Sequence, residues 1–455
     1  MIIDTHCHLD FKDFDADRGD VLDRAVKAGV RRIINVGSSV EGTKRSLELA
    51  ERYDMISASV GVHPHEAASV DDGVMNEMKI LAREKKVVAI GEVGLDYYRN
   101  LSPKDDQIRV FKLFIRLALD RGLPLIIHSR EADEDALKIL KVEAGNKVSG
   151  VVHCFSGNVD FMKQCFDLCL HVSFTCSLTF KKAEALRDVA RHVPAERLLL
   201  ETDAPFLAPQ DKRGQRNEPA YLGYLVDQWQ DILGLSKEDI ERITAHNANR
   251  LFSLGLEEPS KIAYPIRQSL YLNITNECSN SCYFCVRQET SFVKGHNLFL
   301  DKEPSVEDLM KAVGDAGKFN ELVFCGYGEP TARLDIIKEV AARVKKAGAI
   351  VRLNTNGQGD MINGRPIVKE LKGLVDKVSV SLNAQDAGLY DRICKSRFGP
   401  GAYDKVKAFI RECAASGIDT EATCLDLPEV DVKACSRIAT GLGARFRPRS
   451  LGVVG

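Results

Sequence analysis

What most restricts the fold of this chain is the alternation of short apolar, β-rich runs with stretches of helical periodicity. Successive parallel strands need a crossover connection, normally a helix, so the alternation predicts βα units and parallel sheets. In the first half, eight strand candidates lie at Met1–Asp4, Ile33–Gly37, Met55–Gly61, Val87–Gly91, Pro124–His128, Gly150–His153, His171–Phe174 and Leu198–Asp203. Helical stretches such as Asp20–Ala28, Gln107–Leu119 and Ala183–His192 separate them, and Asn247–Phe252 supplies a closing helix. Eight such units in about 255 residues is the size of a (β/α)8 TIM barrel. The polar, proline-bearing stretch 257–265 reads as a linker. Six more strand candidates follow, at Leu270–Thr275, Glu321–Cys325, Ala349–Thr355, Lys377–Asn383, Asp419–Leu425 and Ala444–Arg449. They predict a partial (β/α)6 barrel, with a doubly wound sheet as the alternative that periodicity does not separate. The expectation is an α/β chain with one domain over residues 1–256 and a second over 266–455.

Composition narrows the function. Of 455 residues, 44% are hydrophobic and 28% charged, which excludes a disordered or fibrous chain. The net charge of -2 means that a polyanion has to be met by a local patch. No run approaches the roughly 18 apolar residues of a membrane span. The start, Met1-Ile2-Ile3-Asp4-Thr5-His6, has no basic or apolar export segment, and the 13 cysteines are an odd number. Both point to a cytoplasmic protein with reduced thiols and no membrane partner.

Catalytic groups of a βα barrel sit on the loops after its strands. Here those ends carry Asp4-Thr5-His6-Cys7-His8, Gly61-Val62-His63-Pro64-His65, Gly91-Glu92-Val93-Gly94-Leu95-Asp96, His128, His153 and Glu201-Thr202-Asp203. A single histidine at a strand end is more often structural than a ligand, but the set is different. His6 and His8, two apart on one strand, project to the same face. Nitrogen-plus-carboxylate ligation suits Zn²⁺, Mn²⁺ or Fe²⁺ better than Ca²⁺. Two ions ~3.5–4 Å apart would activate water and stabilise the entering and leaving oxygens, so hydrolysis is the expected reaction.

These motifs, with His153-Cys154-Phe155-Ser156-Gly157 and Glu201-Thr202-Asp203-Ala204-Pro205-Phe206, resemble the signatures of the TatD family of metal-dependent hydrolases. The resemblance implies a TIM-barrel nuclease with two divalent ions (Zn, Mg, Mn or Fe). It implies His6, His8, Glu92, His128, His153 and Asp203 as metal ligands. Glu92 would bridge the ions, Asp203 would accept the proton of the attacking water, and His63 would be a substrate or supporting group. A phosphodiester needs cations near the mouth, for which Lys181, Lys182, Lys212, Arg213 and Arg216 are the candidates.

Cys278, Cys282 and Cys285 form C-x3-C-x2-C directly after a strand candidate. Three thiolates on one loop can hold three corners of an iron–sulfur cluster. Zinc would want a fourth ligand, for which His296 is the only nearby candidate. The spacing, with Phe284 before the last cysteine, resembles the radical-SAM superfamily, and Gly326-Tyr327-Gly328-Glu329-Pro330 resembles its glycine-rich motif. The resemblance implies a [4Fe-4S] cluster, S-adenosylmethionine and a reductant such as flavodoxin or ferredoxin. It implies Phe284, Gly326, Gly328 and Glu329 as contacts to S-adenosylmethionine, the glycines letting the backbone approach the ligand. Asn354, Ser381 and Asn383, at later strand ends, are further candidates for its ribose or carboxylate, although Asn and Ser there are more often ordinary turn formers. Cys325, Cys394, Cys413, Cys424 and Cys435 show no second ligand spacing and read as core or surface thiols.

The expected protein is bifunctional: a nuclease acting on nucleic acid or nucleotide, joined to a radical enzyme of unstated substrate. The alternatives are a hydrolase of a smaller ester or amide coupled to radical modification of a metabolite or peptide, and a second domain that only binds its cluster.

Overall fold

The computed structural model describes residues 1–145 and 147–450. They form two compact units, divided between Glu257 and Glu258. No helix of the described residues is long and apolar enough to cross a membrane.

In the first unit β1 (Ile2–Cys7), β2 (Val30–Asn35), β3 (Ile56–Val60), β4 (Val87–Asp96), β5 (Leu125–Arg130), β6 (Gly150–Val152), β7 (Leu170–Phe174) and β8 (Leu198–Leu200) lie side by side in chain order, all parallel. The barrel closes through the segment after β8: the Asp203 amide donates to the His6 carbonyl at 2.9 Å, and the His8 amide to the Ala204 carbonyl at 2.8 Å. β1, β4 and β7 are buried almost end to end, as parallel strands covered on both faces are. The closing helix, Lys237–Phe252, packs Ala248 and Phe252 against Ile3, Ile34, Ile126 and Leu199.

Two local features aim the site. The fourth strand does not stop at Gly91 as expected but continues to Asp96, so Glu92 and Asp96 lie within it. Its pairing with β5 shifts register between Ile90 and Val93, the kind of irregularity that re-aims a side chain, and Glu92 falls inside the shift. At Gly94 a Cβ would lie 2.0 Å from the His128 carbonyl oxygen, so any larger residue would push β5, and His128 with it, away.

In the second unit β9 (Ala263–Ile266), β10 (Ser269–Leu272), β13 (Glu321–Phe324), β14 (Val351–Thr355), β15 (Lys377–Ser381), β16 (Asp419–Leu425) and β17 (Arg445–Arg449) make one sheet in the order β17-β16-β15-β14-β13-β10-β9. A short ribbon of β11 (Phe292–Val293) and β12 (His296–Asn297) stands apart. From β10 to β17 the strands are parallel, and their order never reverses. That is the expected six-unit partial barrel and excludes a doubly wound sheet, whose strand order turns back. Residues 257–265 are not all linker. Ala263–Ile266 pairs antiparallel with β10 as an edge strand, hard to see because it is four residues long and contains Pro265. Leu270, Leu322, Leu353 and Val380 face the helical core, which leaves Tyr271, Glu321, Arg352 and Glu421 on the opposite face.

His171 on β7 gives the first unit a pH dependence. Burial, with Arg197 nearby, pushes its imidazole down to about 4. Unfolded histidine titrates near 6.5, so between those values the unfolded chain holds more protons. Acidification through that window should therefore destabilise the first unit by roughly 3 kcal/mol, with no further loss from this group below about pH 4. Trp229, the chain's single tryptophan, packs 5.1 Å from Phe174 and reports this unit alone. Urea midpoints from its emission should fall less between pH 7 and 4.5 in His171→Gln than in the parent; an equal fall would clear His171.

Candidate metal centre and cluster loop

The strand ends of the barrel bring seven potential donors together. His6 Nε2 lies 3.2 Å from His8 Nε2, and both lie 3.6 Å from Asp203 Oδ1. On the other side His128 Nδ1 and His153 Nε2 each lie 2.8 Å from Glu92 Oε1, and His63 Nε2 lies 3.4 Å from the same atom. Glu92 Oε2 faces back to His6 at 3.4 Å. The ligand atoms of His6, His8 and Asp203 fall within one metal-sized group, and those of His63, Glu92 and His128 within another. Glu92 thus stands between two places where an ion fits. His63, expected as a substrate or supporting group, has its ring nitrogen within the second of these groups.

The donor chemistry fits divalent cations. Imidazole nitrogens this close need a proton or a cation between them, and the buried Nδ1 atoms of His6 and His153 have no hydrogen-bond partner. Burial opposes ionisation of Glu92, yet His153, His63 and the bonds from His128 hold its carboxyl well below the ordinary range. Burial likewise opposes charge on Asp203, and His8 and His6 pull its carboxyl down. Against burial, the carboxylates raise His8, His128 and His153.

Other side chains hold the donors in place. Asp96 Oδ2 lies 2.8 Å from His65 Nε2 and 3.3 Å from His128 Nε2. Glu201 accepts from the Cys154 amide at 2.5 Å and Ser173 Oγ at 2.6 Å, with His153 Nδ1 3.6 Å away. Carboxylates behind histidine ligands fix ring orientation. Asp4, pushed by burial up to about 7, accepts from Thr202 Oγ1 at 2.6 Å and ties β1 to the segment that carries Asp203. Sequence reasoning assigned none of these three carboxylates a role. Their only signal is that they share motifs with the donors.

The donors floor a cavity of about 1260 Å³, whose rim carries Phe11, Phe206, Arg99, Arg130 and Lys182. The expected cations are mostly elsewhere. Arg216 is held by Asp17 at 2.7 Å, and Arg213 stacks on Phe180 at 4.3 Å. Neither they nor Lys181 line the cavity. Each lies in the right loop, but intraprotein partners claim the two arginines. Arg130, 4.0 Å over the Tyr98 ring, and Arg99 follow the strand-five and strand-four motifs and were passed over.

In the second unit the loop after β10 carries Cys278, Cys282 and Cys285, all free thiols and half-buried. It is braced on two sides. Gly328 and Glu329 amides donate to the Thr275 and Glu277 carbonyls at 2.9 and 2.6 Å, and Ser281 and Tyr283 amides donate to Cys394 and Ile393 carbonyls at 3.0 and 3.2 Å. A Cβ at Gly326 would lie 2.0 Å from Asn273 Oδ1, and one at Gly328 would lie 2.3 Å from the Glu277 carbonyl. The glycines are therefore required by loop-on-loop packing, whatever else they approach. Glu329, buried, spends its carboxylate on Thr331, Thr355 and the Asn356 amide, at 2.6–3.1 Å. Asn383 points its amide at Cys394 Sγ, 3.5 Å away. Both are framework groups rather than free ligand contacts. Asn354 shares the helix-free face of the sheet with Arg352, Ser381 ends β15, and Phe284 packs half-buried on the core. His296 sits on β12 with Nε2 3.3 Å from the Pro265 carbonyl, not on the cysteine loop.

Three thiols on one braced loop suit an iron–sulfur cluster, whose iron would draw off their protons. Without it burial pushes Cys278 up to about 11 and raises Cys285 as well. The Cys394 thiol, then burial, raises Cys282. Cys394 is thus the cysteine that the sequence left out of this neighbourhood.

A parallel barrel with a histidine–carboxylate centre, followed by a partial barrel with a three-cysteine loop, defines a metal-dependent hydrolase joined to a radical-SAM domain. The TatD related DNase family model matches residues 3–253, and the Radical SAM superfamily model matches residues 272–434. The chain belongs to the TatD related DNase family and carries a radical-SAM domain in addition. It is 42% identical over 255 residues to the uncharacterized metal-dependent hydrolase YabD of Bacillus subtilis, covering 56% of this chain and 100% of that protein. It is 37% identical over 261 residues to the 3'-5' ssDNA/RNA exonuclease TatD of Pantoea ananatis, with 56% and 100% covered. Among solved structures, the TatD homolog YJJV of Escherichia coli matches with a TM-score of 0.53 at 31% identity, covering 55% of this chain and 98% of that one.

Occupancy should follow the donors. The purified chain should bind two divalent ions. His6→Ala with His8→Ala should remove about one, and Glu92→Ala should weaken both. Because His8, His128 and His153 are biased toward the protonated form, protons compete with the metal, and binding should weaken on acidification. Metal analysis after dialysis at pH 5.5 and 7.5 checks both; full occupancy in all variants at both pH values would refute the assignment.

Proposed function

We propose that the first unit is a two-metal phosphodiesterase acting on single-stranded nucleic acid or nucleotide. The observation that carries this is Glu92, set between two donor groups at the floor of a cavity with cations and aromatic rings on its rim. Two divalent ions there would supply an acidified water and neutralise charge on both oxygens of the displacement. His6, His8 and Asp203 hold one ion; His63, Glu92, His128 and His153 are the donors for the other. Asp203, kept ionised beside His8 and His6, accepts the proton of the attacking water. Arg99, Arg130 and Lys182 hold phosphate oxygens, and Phe11 and Phe206 offer faces for bases to stack on. The name of the Pantoea relative supports a nucleic-acid substrate.

In the second unit Cys278, Cys282 and Cys285 would hold a [4Fe-4S] cluster, which when bound would supply the electron for reductive cleavage of S-adenosylmethionine, drawn from a reductant such as flavodoxin or ferredoxin. Phe284 and the Gly326–Gly328 segment would border the cofactor. Free thiols throughout the described residues fit the cytoplasm.

Asp203→Asn should lower cleavage of single-stranded oligonucleotides by ~10²–10⁴-fold. Arg99→Ala with Arg130→Ala should raise KM with less effect on kcat. If the parent cleaves no oligonucleotide but hydrolyses a small ester, the smaller-substrate reading replaces this one. Separately, reduced, reconstituted protein should form 5'-deoxyadenosine, and Cys282→Ala should abolish it while oligonucleotide cleavage continues. Product nucleoside still formed by that variant would remove the radical reading.

A further inference from the structure

The cysteine loop of the second unit is docked on the end of a helix. The Ser281 amide donates to the carbonyls of Cys394 and Lys395 at 3.0 and 3.3 Å, and the Tyr283 amide donates to that of Ile393 at 3.2 Å. In the other direction the Arg397 amide donates to the Ser279 carbonyl at 2.9 Å, and Asn280 and Ser396 form an antiparallel bridge. The two segments therefore run antiparallel in one register: Asn280 faces Ser396, Ser281 faces Lys395 and Tyr283 faces Ile393. Cys282 is left opposite Cys394, the last residue of the helix Ala387–Cys394.

Residues opposed in this way have Cα atoms about 4.5–5.5 Å apart, and a disulfide spans about 4.4–6.8 Å. The side chains converge as well. Cys394 is buried in the core of the unit, and Cys282 packs half-buried on that same core. Their thiols hydrogen-bond to one another, and the Asn383 amide donates to Cys394 Sγ at 3.5 Å. Cys424 and Cys435 are another pair of neighbouring thiols, but both lie inside the core, 1% and 0% exposed. An oxidant has no path to them, whereas it reaches Cys394 through Cys282.

A sulfur bonded to a second sulfur cannot also ligate iron, so the two uses of Cys282 exclude each other. We propose that Cys282 and Cys394 form a reversible disulfide in the cluster-free chain, a modification site that withdraws one of the three cluster thiols when a peroxide is present. The peroxide oxidises the Cys282 thiol to a sulfenic acid and leaves as water. The Cys394 sulfur then attacks Cys282 Sγ, the S–O bond breaks, and the hydroxyl departs with the Cys394 proton as a second water. Two thiols thus give up two electrons and two protons to one peroxide. A dithiol restores both thiols by exchange, and the disulfide keeps Cys282 from the irreversible sulfinic stage. In a reducing compartment such a bond is transient, as a redox sensor requires. The consequence for the cluster rests on the radical-SAM reading; the disulfide itself does not.

The test uses the full chain, reduced and before cluster reconstitution, treated with hydrogen peroxide. Peptide mass spectrometry without reduction should show one link joining the segment that carries Cys282 to the tryptic segment Ile393–Lys395. The link should persist in Cys278→Ser, Cys285→Ser and Cys435→Ser and vanish in Cys282→Ser and Cys394→Ser. The linked parent should lose its uptake of iron and sulfide and regain it after dithiothreitol. Should Cys394→Ser not fold, Cys282→Ser carries the same decision. The proposal falls if peroxide makes no link to Ile393–Lys395, if the link survives in Cys282→Ser, or if the linked chain takes up iron as the reduced chain does. A reduced parent that takes up no iron removes the cluster reading instead and leaves the disulfide standing.

Discussion

The first unit is organised around one carboxylate. Glu92 lies 2.8 Å from nitrogens of both His128 and His153 and turns its second oxygen to His6. A buried carboxylate is costly unless positive charge surrounds it. Here the histidines supply that charge when protonated, and a pair of cations would supply it better. The barrel is built to keep this arrangement. The register shift aims Glu92, Gly94 lets β5 come close enough to bring His128, and the Asp4–Thr202 bond ties Asp203 to the strand that carries His6 and His8.

The second unit uses a carboxylate in the opposite way. Glu329 is also buried, but it faces hydroxyls and amides, not cations, and burial raises its carboxyl. It is a staple between the loops after β13 and β14. Together with Gly326 and Gly328 it holds the cysteine loop from one side, while the Ile393–Cys394 backbone holds it from the other. Soft thiol donors on a braced loop and hard nitrogen–oxygen donors at a barrel mouth call for different metals. The two sites share no residue, so either chemistry can be lost without the other.

The barrel's rim shows how charge is allotted. Arg216 and Arg24 are tied to Asp17 and Glu218. Arg99, Arg130 and Lys182 remain at the cavity. With a net charge of -2, binding of a polyanion would depend on these few cations.

Strand-end histidines two apart, acidic residues in short motifs and three cysteines spaced for one loop were legible in the sequence, because each depends on local spacing. So was the count of parallel βα units, since strand and helix periodicities are local too. The partial barrel rather than a doubly wound sheet was a matter of strand order, which periodicity does not encode. The edge strand Ala263–Ile266 was hidden because it is short and stabilised by its pairing with β10. Which arginines face the cavity depended on whether Asp17 and Phe180, distant in sequence, had already taken them. Likewise His63 came beside Glu92 and His128, Glu329 became a staple and Cys394 a neighbour of Cys282 only when separate strands met. Ligand type is written in side chains, but whether a side chain is free to bind is decided by the partners that folding brings to it.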